Sequence, residues 1–335
     1  MKVAIVGCGG LGNVHASCYA EMPGVTVVGV CDIDEEQVRR TADRIGAPAY
    51  VSYRDMLEQS GCEVVSIAVP SYLHKQFSIE AAEAGKHVIS EKPIALNLAD
   101  AREMIDTCRN NGVRLFVGHV VRYFPEYAQM KHQLADGTIG RLGVAHTSRI
   151  GGHPGNVRAW YFDEECSGGV ILDLMIHDID FIRWAGGEVR SVYSQRATSR
   201  ELDYATATLV FESGAVANLK AHWGYPGPFT TAADLAGNGG VIRTDSSRSA
   251  SLQIRKTEAS ASGGPFVEVP QSPGYESPYY TELLDFIDCI REGREAVVTA
   301  EDAYKALEIA LAAAESARTG KAVMIGQDTR KAESV

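Results

Sequence analysis

A glycine-rich run near the N-terminus has the residue types and spacing that cradle a pyrophosphate. It reads G-x-G-x-x-G, follows a Val- and Ile-rich segment and opens a helical one. The first glycine permits a tight turn, the second lets a pyrophosphate approach the backbone, and the third lets helix and strand pack closely. The free N–H groups at the helix N-terminus then favour the anion. We therefore expect a dinucleotide to contact the residues of this turn: Gly7, Gly9, Gly10, Leu11 and Gly12.

An acidic residue after the second predicted strand indicates which dinucleotide binds. Asp32 lies 20 residues after Gly12. A carboxylate at this position accepts hydrogen bonds from the ribose hydroxyls and repels a 2′-phosphate. Its neighbours Cys31, Ile33 and Asp34 include no arginine that could neutralise such a phosphate, so the sequence favours NAD over NADP. The alternative is a glycine-rich turn that binds nothing, with Asp32 as a solvated strand end.

A lysine stands where another predicted strand ends. Lys92 follows the apolar run 86–90, and in open α/β sheets ligands bind outside the carboxyl ends of the strands. Pro93 stiffens the turn that follows. Spacing alone equally allows a surface lysine in a loop. If Lys92 faces the cofactor, we expect the same of Glu91 and of three residues after the preceding strand: Pro70, Ser71 and His74.

Three ionisable residues occur on a segment that is otherwise apolar nearly all round. Asp173, His177 and Asp180 are spaced i, i+4 and i+7, which places them on one stripe of a helix. Buried ionisable groups are costly unless paired or functional. A carboxylate one turn from a histidine raises its basicity, which suits a general base near neutral pH. A structural Asp–His pair is the alternative. A metal site is disfavoured because the sequence has no second histidine-rich cluster, so we expect no metal.

The elements that must position these residues change in character near residue 120. Before it, Val- and Ile-rich runs alternate with helical patterns, which predicts a doubly wound parallel sheet covered on both faces. Gly85 and Gly112 are placed to end two of the helices. The predicted strands are 2–7, 25–31, 63–69, 86–90 and 113–118, and the predicted helices are 11–22, 34–45, 73–85 and 97–111.

After residue 120, strands follow one another without intervening helices, which predicts an α+β domain with an open, mostly antiparallel sheet. We expect domains at 1–120 and 121–325 and a tail at 326–335. The predicted helices are 124–136, 169–185 (ending at Gly186-Gly187), 278–291 and 301–319. The predicted strands are 141–150, 189–198, 204–212, 214–223, 230–237, 240–244, 251–256 and 265–269, with a surface loop at 257–264.

Composition narrows the classes of function. The 335 residues, 45% hydrophobic and 22% charged, are ordinary globular usage and long enough for two domains. The net charge of −11 argues against nucleic acid and anionic membranes as partners. The chain shows no apolar run of membrane-spanning length and no signal-peptide pattern at its start. Seven cysteines without C-x-x-C pairs predict reduced thiols, so we expect a cytoplasmic protein.

Taken together, these motifs resemble the Gfo/Idh/MocA family, the group of glucose–fructose oxidoreductase and inositol dehydrogenase. The resemblance covers about residues 1–325 and implies an NAD-binding Rossmann domain followed by an open-sheet domain. The outer face of that sheet commonly forms a dimer or tetramer interface in the family. The resemblance rests on the glycine-rich start, on Glu91-Lys92-Pro93, on the run GHVVRYFP at 118–125, and on Gly168-Gly169 with Asp173, His177 and Asp180.

The resemblance also implies roles for single residues. The family's usual catalytic set is matched by three residues: Lys92, Asp173 and His177. Arg122 matches the arginine of the family's R-[FY]-x-P segment, and family members vary their substrate contacts in the region that holds Asp163. The residues that we expect to touch the substrate are Arg122, Tyr123, His153 and Trp160. The implied activity is NAD-dependent oxidation of a secondary hydroxyl of a cyclic polyol or sugar, by a homodimer or homotetramer.

Some positions depart from the family pattern. A third glycine is replaced by Val170, Met175-Ile176 precede His177, and the T-P-N-x-x-H segment begins with Val69. None of these changes touches the three catalytic matches. Three other functions stay open: a redox-neutral NAD-using glycosidase, an NADP(H)-linked sugar reductase, and a non-catalytic NAD-binding protein.

Overall fold

The protein is described by a computed structural model, which covers residues 1–247 and 276–326. Two predicted strands (251–256 and 265–269), the loop predicted at 257–264 and nearly all of the predicted tail lie outside the described residues. All seven cysteines are free thiols, and six of them are buried. In the described ranges, no helix has the length and hydropathy needed to cross a membrane.

The helices and strands follow the predicted order closely. The strands are β1 (Lys2–Val6), β2 (Thr26–Cys31), β3 (Ala49–Tyr50), β4 (Val64–Ile67), β5 (His87–Glu91), β6 (Leu115–Gly118), β7 (Leu142–Gly151), β8 (Val189–Thr198), β9 (Asp203–Phe211), β10 (Val216–Trp223), β11 (Thr230–Gly237), β12 (Gly240–Asp245) and β13 (Val323–Met324). The α-helices are α1 (Gly10–Glu21), α2 (Glu35–Ile45), α3 (Tyr53–Gln59), α4 (His74–Glu83), α5 (Leu98–Asn110), α6 (Pro125–Ala135), α7 (Glu164–Ser167), α8 (Ile176–Gly186), α9 (Pro278–Glu292) and α10 (Ala300–Thr319).

The chain divides into two compact units. Unit 1 holds the described residues 1–125, 157–167 and 276–304, and unit 2 holds 126–156, 168–247 and 305–326. Unit 1 therefore includes two segments from far beyond residue 120, which a single boundary in the chain does not describe. The predicted domain boundaries themselves stay a prediction.

Unit 1 is built on a six-stranded sheet in the order β3-β2-β1-β4-β5-β6. Every neighbouring pair is parallel, so the predicted parallel sheet is confirmed. Alternate residues of β1 point to opposite faces: Val3 and Ile5 join one buried cluster, and Ala4 and Val6 join the other. Both faces are covered, because α1 and α9 pack in the first cluster and residues of α3, α4 and α5 in the second.

Unit 2 contains a seven-stranded sheet in the order β12-β11-β7-β10-β9-β8-β13. The pairing of β7 with β10 is parallel and the others are antiparallel, so the predicted mostly antiparallel sheet is confirmed. Burial alternates strictly along β9, as expected for a sheet with one covered face. Helix α8 lies against that sheet at its C-terminal end, since a Cβ on Gly186 would lie 3.0 Å from Leu142 and Phe211 side-chain atoms.

The structure adds four short elements that the sequence patterns did not predict: β3, α3, α7 and β13. It also interrupts the helix predicted over 169–185. That range is helical, but Ile171–Met175 forms one π-helical turn that leads directly into α8. A period of 3.6 residues does not describe such a turn, which is wider than an α-helical one.

Candidate active site

The glycine-rich turn of unit 1 is built for close approach to its backbone. Gly7 has φ of +91°, and a Cβ there would overlap the carbonyl oxygen of Ala68. A Cβ on Gly12 would overlap the carbonyl oxygen of Gly7. Helix α1 begins at Gly10, directly after the turn, so its free N–H groups lie where a pyrophosphate is expected. The turn therefore fits the dinucleotide that the sequence predicts.

Asp32 lies directly after β2 and is tied to the same turn. One of its carboxylate oxygens accepts a hydrogen bond from the Cys8 N–H at 2.7 Å, and the other accepts one from the Asp34 N–H at 2.9 Å. The carboxylate is thus held beside the glycine-rich turn with lone pairs left for further donors. A ribose with two free hydroxyls suits this arrangement better than a 2′-phosphate, because a carboxylate repels the phosphate.

Lys92 follows the last residue of β5, at the same edge of the sheet as the glycine-rich turn. The turn that holds it is anchored by the buried His74 ring. His74 Nδ1 lies 2.8 Å from the carbonyl oxygen of Pro93, and Nε2 lies 3.0 Å from that of Val69. The sequence predicts that His74 faces the cofactor. Its contacts instead favour a structural role, in which it connects the ends of two neighbouring strands.

A buried histidine–carboxylate pair beneath Lys92 was not predicted from the sequence. His15 Nε2 lies 2.9 Å from Glu91 Oε1, and the two side chains are 2% and 6% exposed. A carboxylate only accepts, so Nε2 carries a hydrogen, while Nδ1 lies 2.8 Å from Ser66 Oγ. The Lys92 backbone N–H donates to Glu91 Oε2 at 3.3 Å. The pair thus connects α1, which begins at the glycine-rich turn, with the strand end that carries Lys92.

The pKa of Glu91 reflects this pairing. Burial alone would raise the pKa of the carboxyl, but the hydrogen bond and electrostatic attraction from His15, together with the charge of Lys92, outweigh it. The pKa of Glu91 is therefore lowered from its ordinary value of 4.5. The carboxylate is ionised near neutral pH, and its contacts favour holding the turn over the predicted contact with the cofactor.

The second group of candidate residues belongs to unit 2. Asp173 lies in the π-helical turn and is 9% exposed, and His177 is the second residue of α8 and half-buried. The N–H of Val170, just before the π-helical turn, donates to Asp203 at 3.0 Å. Asp203 is in turn held by Arg196 at 2.7 Å. The start of this helical segment is therefore fixed on the sheet of unit 2 by a charged pair.

Two further carboxylates on α8 are fully buried. Asp180, the third member of the predicted stripe, is 0% exposed, and so is its neighbour Asp178. Asp178 forms a two-point ion pair with Arg149 of β7, at 3.0 and 3.2 Å. Pattern analysis of the sequence did not single out Asp178, because its partner lies 29 residues away in the chain.

The four predicted substrate contacts have different surroundings. The Arg122 side chain is buried, with Nη1 3.2 Å from Asp302 and donating at 2.9 Å to the Val297 carbonyl. The Tyr123 hydroxyl donates to Asp285 at 2.7 Å. These pairings lie inside unit 1 and favour structural roles over contact with a substrate. His153 belongs to unit 2, where burial lowers its pKa and its ring lies 5.3 Å from that of Trp223.

Trp160 and Asp163 lie on the segment 157–167, which belongs to unit 1. The Trp160 ring makes an edge contact with Tyr72, with 6.5 Å between the ring centroids. Asp163 precedes α7 and accepts a hydrogen bond from the Glu165 N–H at 2.9 Å, which satisfies a free donor of the first helical turn. The described residues contain no group of three or more His, Cys, Asp or Glu side chains placed to hold a metal ion.

Family comparison agrees with this geometry in both parts of the chain. A family model described as "Oxidoreductase family, NAD-binding Rossmann fold" matches residues 1–119, and "Oxidoreductase family, C-terminal alpha/beta domain" matches residues 131–325. The chain belongs to the Gfo/Idh/MocA oxidoreductase family. The resemblance stated from the sequence is therefore confirmed, as are the class of enzyme and NAD as its cofactor.

Three similar proteins illustrate the likeness. The myo-inositol 2-dehydrogenase of Thermotoga maritima is 28% identical over 97% of this chain and 98% of its own length. The scyllo-inositol 2-dehydrogenase (NAD(+)) of Bacillus subtilis is 29% identical over 97% and 96%. The crystal structure of myo-inositol 2-dehydrogenase from Lactobacillus plantarum superposes with a TM-score of 0.85, at 26% identity, and covers 97% of this chain and 99% of its own.

Proposed function

We propose that this oxidoreductase is a dehydrogenase that oxidises a secondary hydroxyl of a cyclic, inositol-like polyol or of a sugar to a ketone or lactone. The observation that carries the proposal is in unit 1. There, the glycine-rich turn after β1 and Lys92 after β5 share the carboxyl edge of one parallel sheet, which is where ligands bind in such folds. Support for the substrate class comes from the two relatives named as inositol dehydrogenases, which align with nearly the whole chain.

The proposed chemistry assigns one task to each of three residues. Bound NAD supplies the hydride acceptor. His177 takes the proton of the reacting hydroxyl as general base. Lys92 donates a charge-assisted hydrogen bond to the developing alkoxide, which stabilises negative charge as it forms. Asp173 orients the reacting hydroxyl or the His177 ring.

Absorbance at 340 nm tests this proposal directly. The full chain is incubated at alkaline pH with NAD, and separately with NADP, against a panel of inositols, aldoses and simple glycosides. NADH formation with an inositol or a sugar is the expected result. A Lys92→Met variant should bind NAD but lose turnover, whereas Lys86→Met, a lysine-to-methionine change before β5, should leave turnover unchanged.

Two results would overturn the proposal. Cleavage of a glycoside without net NADH would replace it with the redox-neutral glycosidase. NAD binding without any reaction across the panel would leave a binding protein or an enzyme for another substrate class. The expected dimer or tetramer and the expected cytoplasmic location stay predictions, which light scattering and fractionation of the source cells would check.

A further inference from the structure

The segment 157–167 crosses the carboxyl edge of the parallel sheet in unit 1. Its contacts with the loops at that edge run in sheet order. Arg158 meets Gln37 of α2, which follows β2, and also lies beside the turn after β1. Trp160 meets Tyr72, which follows β4, and Glu165 lines a cavity of about 210 Å³ with Asn97, which follows β5. The segment therefore lies over the crevice in which sheets of this kind bind their dinucleotide.

Arg158 places a positive charge beside the glycine-rich turn. Its Nη2 atom lies 3.6 Å from the position that a Cβ on Gly9 would occupy. The same atom donates to Gln37 Oε1 at 3.0 Å. Gln37 is itself held, because its amide nitrogen donates to Asp34 Oδ2 at 2.7 Å, which leaves its amide oxygen to accept from Arg158. Gly9 is the glycine that lets a pyrophosphate approach the backbone, so the guanidinium lies where that anion is expected.

We propose that Arg158 is a cofactor-binding residue whose guanidinium forms charge-assisted hydrogen bonds with the pyrophosphate of NAD. A guanidinium suits this role because it is always charged and presents several donors in one plane to phosphate oxygens. The chain carries a net charge of −11, so a cation at this point also offsets repulsion of the cofactor's dianionic pyrophosphate. The inference depends on NAD binding alone and not on the proposed substrate.

Two phosphate groups could in principle meet this arginine, the pyrophosphate and the 2′-phosphate of NADP. The position of Nη2 beside Gly9 favours the pyrophosphate. Asp32 favours it as well, because its carboxylate is held beside the glycine-rich turn by the Cys8 N–H and would repel a 2′-phosphate. The two assignments make different predictions for cofactor fragments.

Equilibrium binding to the full chain, measured by calorimetry, separates them. The variants are Arg158→Gln and Arg158→Lys, with Arg54→Gln as matched control. Arg54 carries the same charge on α3 of unit 1, where it pairs with Glu58 at 2.8 Å. The ligands are NAD, ADP-ribose, NADP and adenosine. Melting temperatures without ligand check that each variant is folded, which the exposed position of Arg158 favours.

Arg158→Gln should weaken binding of NAD and ADP-ribose about tenfold, equivalent to about 1.4 kcal/mol. The affinity for adenosine should not change. The affinity of Arg158→Lys for NAD and ADP-ribose should lie between those of Arg158→Gln and the unmodified chain. Arg54→Gln should bind every ligand as the unmodified chain does. Raising the salt concentration should narrow the tenfold difference, because exposed charges are screened. Unchanged affinity for NAD and ADP-ribose at low salt would overturn the proposal. A loss confined to NADP would also overturn it, by assigning Arg158 to the 2′-phosphate.

Discussion

The replacement Glu91→Gln tests the buried pair beneath Lys92 most sharply. It keeps the shape of the side chain and an oxygen that can accept from the Lys92 N–H, but it removes the charge that faces His15 across 2.9 Å. A hydrogen bond to a charged group contributes about 1.5–3 kcal/mol to stability, and a neutral one about 0.5–1.5 kcal/mol. Because both side chains are buried, solvent screens little of this difference. We expect Glu91→Gln to lower the free energy of unfolding by about 1–2 kcal/mol.

A double-mutant cycle with His15→Leu separates the pair from its surroundings. His15→Leu alone leaves a buried carboxylate without its histidine, which costs about 3–5 kcal/mol. In the Glu91→Gln background the same change removes only a neutral hydrogen bond of about 0.5–1.5 kcal/mol, so the coupling energy should be about 1.5–4.5 kcal/mol. Urea unfolding measures all four proteins. The exposed Glu58→Gln, which removes the partner of Arg54, is the control and should stay within about 0.5 kcal/mol.

The same variant should change catalysis and acid stability. The turn that carries Lys92 is held by Glu91, and a displacement of about 1 Å at a reacting group can cost about 100-fold in rate. We therefore expect kcat to fall while the affinity for ADP-ribose is kept.

The lowered pKa of Glu91 means that its stabilising contribution is present above about pH 4.5 and is lost as the pH falls through the lowered value. Glu91→Gln should lack this part of the acid dependence. In the double-mutant cycle, effects of Glu91→Gln and His15→Leu on the free energy of unfolding that add within about 0.5 kcal/mol would refute the reasoning.

Three further outcomes follow from the described contacts. His177→Ala should lose about 10²–10⁴-fold in kcat with NAD binding intact, and an unchanged kcat would remove His177 from the mechanism. Asp32→Ser combined with Ile33→Arg should shift the ratio of kcat/KM values towards NADP, and a ratio that does not move would mean that Asp32 does not meet the ribose. Arg149→Met should cost about 3–5 kcal/mol in urea unfolding, because it leaves the buried Asp178 without its partner. A loss below 1 kcal/mol would contradict that account.

The parts of the fold that sequence patterns predicted well are those specified by neighbouring residues. The glycine-rich turn, the strand before it and the helix after it lie within about twenty residues, and each is indicated by local residue types. Most of the elements described after residue 120 were also predicted by type, because alternating and 3.6-residue periods are local signals. The missed elements β3 and β13 have two residues each, too few to show a period. Helix α3 could have been found, because Ser52 accepts from the Asp55 N–H as a helix cap.

The residues of the candidate site also differ in how far neighbouring residues indicate their contacts. The position of Asp32 beside the glycine-rich turn could be predicted, because the residue follows a strand that is close in sequence to the glycines. Glu91 was noticed for its motif, but its partner His15 lies 76 residues earlier, and no spacing rule connects them. Arg158 meets Gln37 across 121 residues of chain and looks like any surface arginine in the sequence. Contacts of this kind are decided by the tertiary fold.

Helix α9 belongs to unit 1, although it follows most of the strands of unit 2 in the chain. The face of the parallel sheet that carries Val3 and Ile5 is apolar and must be covered. Helix α9 supplies that cover from some 160 residues beyond β6, with Phe286 stacked on Phe116 of β6 at 5.0 Å between ring centroids. The chain cut at residue 120 would leave this face in water, so unit 1 depends on a segment that the pattern of strands and helices assigns to the other domain. The segment 157–167 is likewise a later part of the chain that covers the parallel sheet. It lies at the carboxyl edge, over the crevice proposed for the cofactor. In this family member, later parts of the chain complete the NAD-binding unit. Helix α9 completes its core, and Arg158 is the residue that we propose to contact the cofactor.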